Sequence, residues 1–191
     1  MKETYEELDN ELIFKEQKQV LRNVFDQMDM SKVVFIGGIA DYINLREHYH
    51  LVINDIDLAY ENEEDIAHFL KNYDYKKYQN RFYNSLNNEV LVIEVPFGGK
   101  CVHFDFFQRD LKRLDIDQSY LLGEKVHHTS FNEMKNFHNQ EIGKQTSRMQ
   151  KEKYEWKRLY KHSIKASLYN AVCYNVFTKK ERSPLRCALT R

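Results

Sequence analysis

Apolar residues change period several times along this chain, and each change predicts an element. Leu21, Val24, Phe25 and Met28 recur at the spacing of one helix face. Thr4 followed by Glu7 has the form of a capping box, so a first helix is predicted to open there and to end near Met30. The apolar run 33–36 predicts a short buried strand, closed by Gly37-Gly38, and 39–47 predicts a helix starting at those glycines. Residues 55–60, Asp-Ile-Asp-Leu-Ala-Tyr, predict a second strand. Asn62 ahead of Glu63, Glu64 and Asp65 is a helix start, with Ile66, Phe69 and Leu70 as its stripe. A strand is predicted within the Tyr-rich segment 73–84. Residues 90–95 predict a strong strand, Pro96-Phe97-Gly98-Gly99 a turn, and 101–107 its hairpin partner. The alternation in that partner puts His103 and Asp105 on one face, Phe104 and Phe106 on the other. Residues 109–114 look helical, and 125–129 add a short strand. From Ser130 onward the pattern is helical, with Tyr154, Trp156, Leu159, Tyr160, Ile164, Leu168 and Val172 as apolar positions, and the ending from Ser183 fits no packed element.

These elements predict an α/β (α+β) chain: a short mixed β-sheet flanked by helices over 1–129, and a C-terminal helical appendage over 130–191. At 191 residues the chain suits one domain with such an appendage. Apolar residues make up 42% and charged ones 30%, the balance of a soluble globular protein. Zero formal net charge gives no global field toward nucleic acid or membrane. There is no run of eighteen apolar residues to span a bilayer, and the acidic start Met1–Glu7 does not read as a signal peptide. Cys101, Cys173 and Cys187 are odd in number and far apart, which fits a cytoplasmic, reducing setting without disulfide framework or zinc site.

The chemistry concentrates at Asp55-Ile56-Asp57. Residues two apart on a strand share a face, so both carboxylates project together. Side by side they repel unless a cation sits between them. Mg²⁺ suits such a pair, because it takes hard oxygen ligands and leaves room for phosphates. Gly37 and Gly38 upstream let backbone N–H groups approach a phosphate chain. Asp105, set in a strand among Phe104, Phe106 and Phe107, needs a partner or a cation, and its predicted role is to ligand Mg²⁺ and accept a proton. The bland reading of Asp55 and Asp57 is an exposed strand end with two solvated acids. An EF-hand is excluded, because no further oxygen ligands follow at loop spacing. A sugar-nucleotide glycosyltransferase also uses Asp-x-Asp but leaves the glycines unexplained. Gly98-Gly99 reads as a hairpin turn, Asp115-Ile116-Asp117 as a loop or helix cap, and His127-His128 as structural, since neighbours on a strand face opposite ways. Residues 144–165 carry eight Lys or Arg against two Glu. They form either an ordinary solvated face or a basic wall for a triphosphate or an RNA acceptor, with Lys153, Lys157, Arg158 and Lys161 as candidates.

The apolar strand, Gly37-Gly38, a helix, Asp55-Ile56-Asp57 on the next strand and Asp105 on a later one resemble the nucleotidyltransferase superfamily with the DNA polymerase β-like catalytic fold. Sixteen residues separate Gly38 from Asp55, close to the spacing in aminoglycoside and lincosamide nucleotidyltransferases and in abortive-infection-type members. Asp41, Arg46 and His48 occupy comparable ground, while Ile39 stands where those enzymes commonly carry Trp. The resemblance implies transfer of a nucleoside monophosphate from a triphosphate to an acceptor hydroxyl or phosphate. Two Mg²⁺ ions would be held by Asp55, Asp57 and Asp105, and the nucleotide by Gly37 and Gly38, with Lys157 and Lys161 added from the basic segment. The acceptor would be an antibiotic-like small molecule, a sugar intermediate, a tRNA end or a protein hydroxyl. Two alternatives stay open: a toxin or abortive-infection enzyme acting on RNA or protein and masked by an antitoxin partner, and a non-catalytic nucleotide sensor.

Overall fold

A computed structural model describes residues 2–53, 55–79, 89–97, 100–149 and 155–185. The chain divides into two compact units, Met1–Ser130 and Phe131–Arg191.

The first unit is a mixed α/β layer structure. Its helices are α1 (Lys2–Leu12), α2 (Lys15–Gln27), α3 (Gly37–Leu45) and the single turn α4 (Ala67–Leu70). Its strands are β1 (Val33–Ile36), β2 (Asp55–Tyr60), β3 (Tyr75–Gln79), β4 (Glu89–Phe97), β5 (Lys100–Gln108), β6 (Ile116–Leu121) and β7 (Glu124–Thr129). Among the described residues these form one seven-stranded sheet in the order β3-β4-β5-β2-β1-β7-β6. The pairs β2–β5 and β1–β7 are parallel, and the other four are antiparallel. The sheet is therefore longer than the short one expected.

Register explains the core. Phe35, Leu58, Phe106 and Leu91 lie in one row across β1, β2, β5 and β4, and Ile56, Phe104 and Ile93 in the next. All seven are buried. Phe69 of α4 packs on Phe104 and Phe106 with ring centres 5.6 Å away in both cases, and Phe25 of α2 meets Phe35 edge-on at 6.5 Å. Each such ring pair adds about 0.5–1.5 kcal/mol to the burial of its surface.

Three local predictions change. The first helix is two helices, because Phe14 takes an extended ψ of 144° between them, and Thr4 lies inside α1 and caps nothing. The helix foreseen after Asn62 opens as a 3-10 turn, Glu63–Asp65, with Asn62 and Asp65 forming a reciprocal capping box. Asp115-Ile116-Asp117 leads into β6, a strand the apolar pattern does not reveal: Asp115 accepts from the Ser130 hydroxyl, and Asp117 pairs in register with His128. Gly98-Gly99, residues 80–88 and the ending from residue 186 lie outside the described residues.

Asp9 on α1 is a buried hub. Its Oδ1 accepts from the Tyr42 hydroxyl and from Arg46 Nη1, both at 2.7 Å, and its Oδ2 accepts from the Leu122 N–H at 2.8 Å. Arg46 also donates to Ser119 Oγ and the Tyr120 carbonyl and lies over the Tyr5 ring. Burial, then the bond to Asp9, pushes the Tyr42 phenol well above its ordinary range. Arg46, grouped with Asp41 and His48 by resemblance, thus binds the fold together.

The second unit pairs α5 (Phe131–Met149) with α6 (Trp156–Leu185). Its inner seam is polar. His138 and His162 meet through their Nδ1 atoms at 2.8 Å, and Glu141 takes Lys144 on one oxygen and the Arg158 fork on the other. Burial, then the neighbouring His138, pushes His162 down to about 4. Burial works to raise Glu141, but Lys144 and Arg158 outweigh it and hold the carboxyl below its usual range. Buried positions on α6 are His162, Ala166, Tyr169 and Val172, whereas Trp156, Tyr160 and Ile164, apolar positions of the helical pattern, are exposed. No helix among the described residues is long and apolar enough to cross a membrane.

The Arg46→Met variant leaves Asp9 buried without its cation. It should lose about 3–5 kcal/mol of unfolding free energy, read as a lower urea midpoint at unchanged slope. A loss under about 1 kcal/mol, the range of a surface pair, would contradict the hub.

Candidate active site

β1 runs directly into α3, and the turn between them is set by Gly37 at φ +59°, the left-handed region that side-chain-bearing residues avoid. Space demands glycine there as well. A Cβ on residue 37 would lie 1.9 Å from Asp57 Oδ2 and 2.8 Å from its Cγ. A Cβ on Gly38 would meet Asp55 Oδ1 at 3.5 Å, an ordinary contact. Both carboxylates therefore lie under the first turn of α3, and the Gly38 N–H faces Asp57 Oδ2 at 3.4 Å. The exposed N–H groups of a helix start and its dipole favour negative charge at that spot.

β2 places the pair by simple alternation. Ile56 and Leu58 go into the core, and Asp55 and Asp57 to the opposite face, where both are half-buried. Upstream, buried Gln17 of α2 donates to the Ile53 carbonyl, which fixes the chain just before β2. The parallel pairing of β2 with β5 then brings in the third acid. Asp57 is opposite Asp105, and Asp55 is opposite His103. Residues opposite each other in a sheet share a face, with backbones about 4.8 Å apart. Burial, and after it the charge of Asp55, raises the Asp105 carboxyl above its ordinary range, with His103 acting against them. The structure thus puts Asp55, Asp57 and Asp105 on one face of neighbouring strands, with Asp55 and Asp57 under Gly37 and Gly38. Among the described residues, no three carboxylate, imidazole or thiol groups are already gathered as a metal shell.

Other candidates lie elsewhere. Asp41 is fully buried on α3, and His48 is exposed beyond its end. His128 is buried, with burial lowering its pKa, and its Nδ1 approaches the Thr129 carbonyl, while His127 meets Gln118. Lys157 and Lys161 are exposed, one turn apart on α6 of the second unit. Lys153 lies outside the described residues, and Arg158 is held by Glu141. Two site neighbours were not assigned from sequence: His103, and Glu94 opposite it on β4, whose Oε1 is 3.8 Å from His103 Nδ1. The shared face of His103 and Asp105 was legible; that Asp55 is across from His103 needed the strand order.

No family model matches the chain, and no curated protein matches it. Two solved structures resemble it in fold. One is an antigenic nucleotidyltransferase-like protein from Paracoccidioides brasiliensis, at 15% identity and TM-score 0.47, covering 86% of this chain and 76% of that one. The other is a candidate nucleotidyltransferase from Thermotoga maritima, at 16% identity and TM-score 0.47, covering 73% and 93%. Likeness at this level decides neither family nor activity.

The glycines separate by substitution. Gly37→Ala should cost at least about 1–3 kcal/mol, from the positive φ and the displaced Asp57. Gly38→Ala should leave the melting temperature unchanged or raise it, because Ala favours a helix. Thermal melts of the two variants check this, and equal melts would contradict the close approach of residue 37 to Asp57.

Proposed function

We propose that this protein is a Mg²⁺-dependent nucleotidyltransferase that moves a nucleoside monophosphate from a nucleoside triphosphate to an acceptor hydroxyl. The observation that carries this is the register that sets Asp105 beside Asp57, with Asp57 beneath the Gly37-Gly38 start of α3. Three carboxylates on two neighbouring strands, one of them raised by burial and by a second acid, form a crowded anionic patch. Its donors are all hard oxygens, which fits Mg²⁺ and not a softer transition metal.

Each residue has a part in that reaction. An acceptor oxygen attacks the α-phosphorus, the bond from that phosphorus to the bridging oxygen breaks, and pyrophosphate leaves with the electron pair. Asp105 would help to hold the cations and receive the proton of the acceptor hydroxyl. Asp55 and Asp57, on the same sheet face as Asp105, would hold the cations with it. Bound Mg²⁺ would neutralise the triphosphate and lower the pKa of the attacking hydroxyl. Gly37 and Gly38 would turn their N–H groups to the phosphate tail, as a helix start readily does. The absence of side chains there lets the phosphates come as close as the backbone permits.

Asp57→Asn tests this directly. Removing one charge from the clamp should cost several kcal/mol in the transition state, about a thousandfold in Mg²⁺-dependent turnover of triphosphate. With less repulsion in the patch, the ligand-free variant should melt at the same temperature or slightly higher. Full turnover, or a markedly lower melt without ligand, would mean that Asp57 is structural.

A further inference from the structure

Charge in this chain is split between its units. Residues 1–130 hold 15 Lys and Arg against 24 Asp and Glu, and residues 131–191 hold 14 against 5. The proposed site is thus in an acidic unit, and any polyanion is favoured by the other one. On α6 the basic residues accompany exposed aromatic ones. Trp156 is 62% exposed, Tyr160 63% and Tyr174 69%. Trp156, Tyr160 and Ile164 recur every four residues, and Tyr174 returns to the line of Trp156 after five turns. Ser163, Ser167 and Ala171 keep the surface between them low. Lys157 and Lys161, both exposed, each follow one residue after an exposed ring and lie to one side of the stripe. The Lys157 ammonium is 5.9 Å from the Trp156 ring centre.

We infer that this face of α6 binds a single-stranded polynucleotide, with bases stacked on Trp156 and Tyr160 and phosphates held by Lys157 and Lys161. Aromatic platforms beside a row of cations are what unpaired bases on a charged backbone require. A duplex hides its base faces and offers the rings nothing to stack on. A second copy of the same helix face would bring its own lysine row against this one, at a cost in like-charge repulsion. Large exposed rings on a helix whose opposite side buries His162, Ala166 and Tyr169 are left without a packing role. The inference goes beyond the reading of Asp55, Asp57 and Asp105 and does not rest on it: it concerns a binding surface of the second unit alone.

Trp156 is the only tryptophan of the chain, so its fluorescence reports on the stripe alone. The full-length protein is titrated with a twelve-residue oligouridylate and with the matching oligothymidylate at low salt. Quenching by at least one of them is expected, and the pair tells which sugar is preferred. Tyr160→Ala should weaken binding about tenfold. Lys157→Glu with Lys161→Glu should weaken it and reduce the salt slope by about 1.4. Circular dichroism confirms that both variants keep their helices, and Asp57→Asn should bind as the native protein does. No quenching by either strand, affinities unmoved in the variants, or equal displacement by polyglutamate would overturn the inference. The two readings fail separately. Strand binding with no Asp57-dependent transfer to anything overturns the transferase reading but not the binding surface.

Discussion

Residue 37 and Asp57 compete for the same volume, and only a glycine resolves the contest. The missing Cβ would overlap a carboxylate oxygen at 1.9 Å, far inside van der Waals contact, and the backbone is in the left-handed region besides. From that one close approach the rest of the site follows. α3 leaves β1 at an angle that points its first N–H groups at β2, and the acids of β2 are brought under a helix start. Had the turn been wider, Asp55 and Asp57 would be two solvated residues on a strand. Had β2 carried apolar residues there, the glycines would serve a tight turn and nothing else.

Crowding of like charge is costly, and the fold resists it with a stiff base. The two strands that carry the acids are neighbours inside the sheet and share the rows of Phe35, Leu58, Phe106 and Leu91 and of Ile56, Phe104 and Ile93 on the opposite face. The aromatic contacts of Phe69 and Phe25 lock those rows from the helix side. Repulsion between Asp55 and Asp105 cannot be relieved by sliding the strands, because a one-residue slip would turn every core side chain outward. It can be relieved by a proton, by His103, or by a cation. The raised pKa of Asp105 records the first route, and its opposition by His103 the second.

Local order was largely legible in the sequence, and long-range order was not. Period-two alternation fixed which way Asp55, Asp57, His103 and Asp105 point, because that depends only on their own strands. The pairing of Asp57 with Asp105 depends on a parallel register between strands more than forty residues apart, and no local pattern encodes it. β6 was missed because its apolar residues, Ile116, Tyr120 and Leu121, do not alternate along the segment, and because its hairpin turn rests on positive φ at Leu122 as well as Gly123. Arg46 reads as a solvated residue at a helix end until Asp9 on α1 is placed against it. On α6 the apolar residues alone do not mark the inner face. Trp156 and Tyr160 count as apolar, yet the inner face carries His162, which pairs with His138.

The central claim is that Asp55, Asp57 and Asp105 form one cation site beneath the Gly37-Gly38 turn. The most direct measurement is a crystal of the full chain soaked in Mn²⁺ with a non-hydrolysable nucleoside triphosphate, read by anomalous scattering. Mn²⁺ takes the oxygen ligands of Mg²⁺ and can be located by its scattering. The account predicts an anomalous peak in contact with carboxylate oxygens of all three aspartates, with the triphosphate tail against the N–H groups of Gly37 and Gly38. A nucleotide bound there without a metal peak, or Mn²⁺ bound elsewhere while the three carboxylates stay apart, would contradict it.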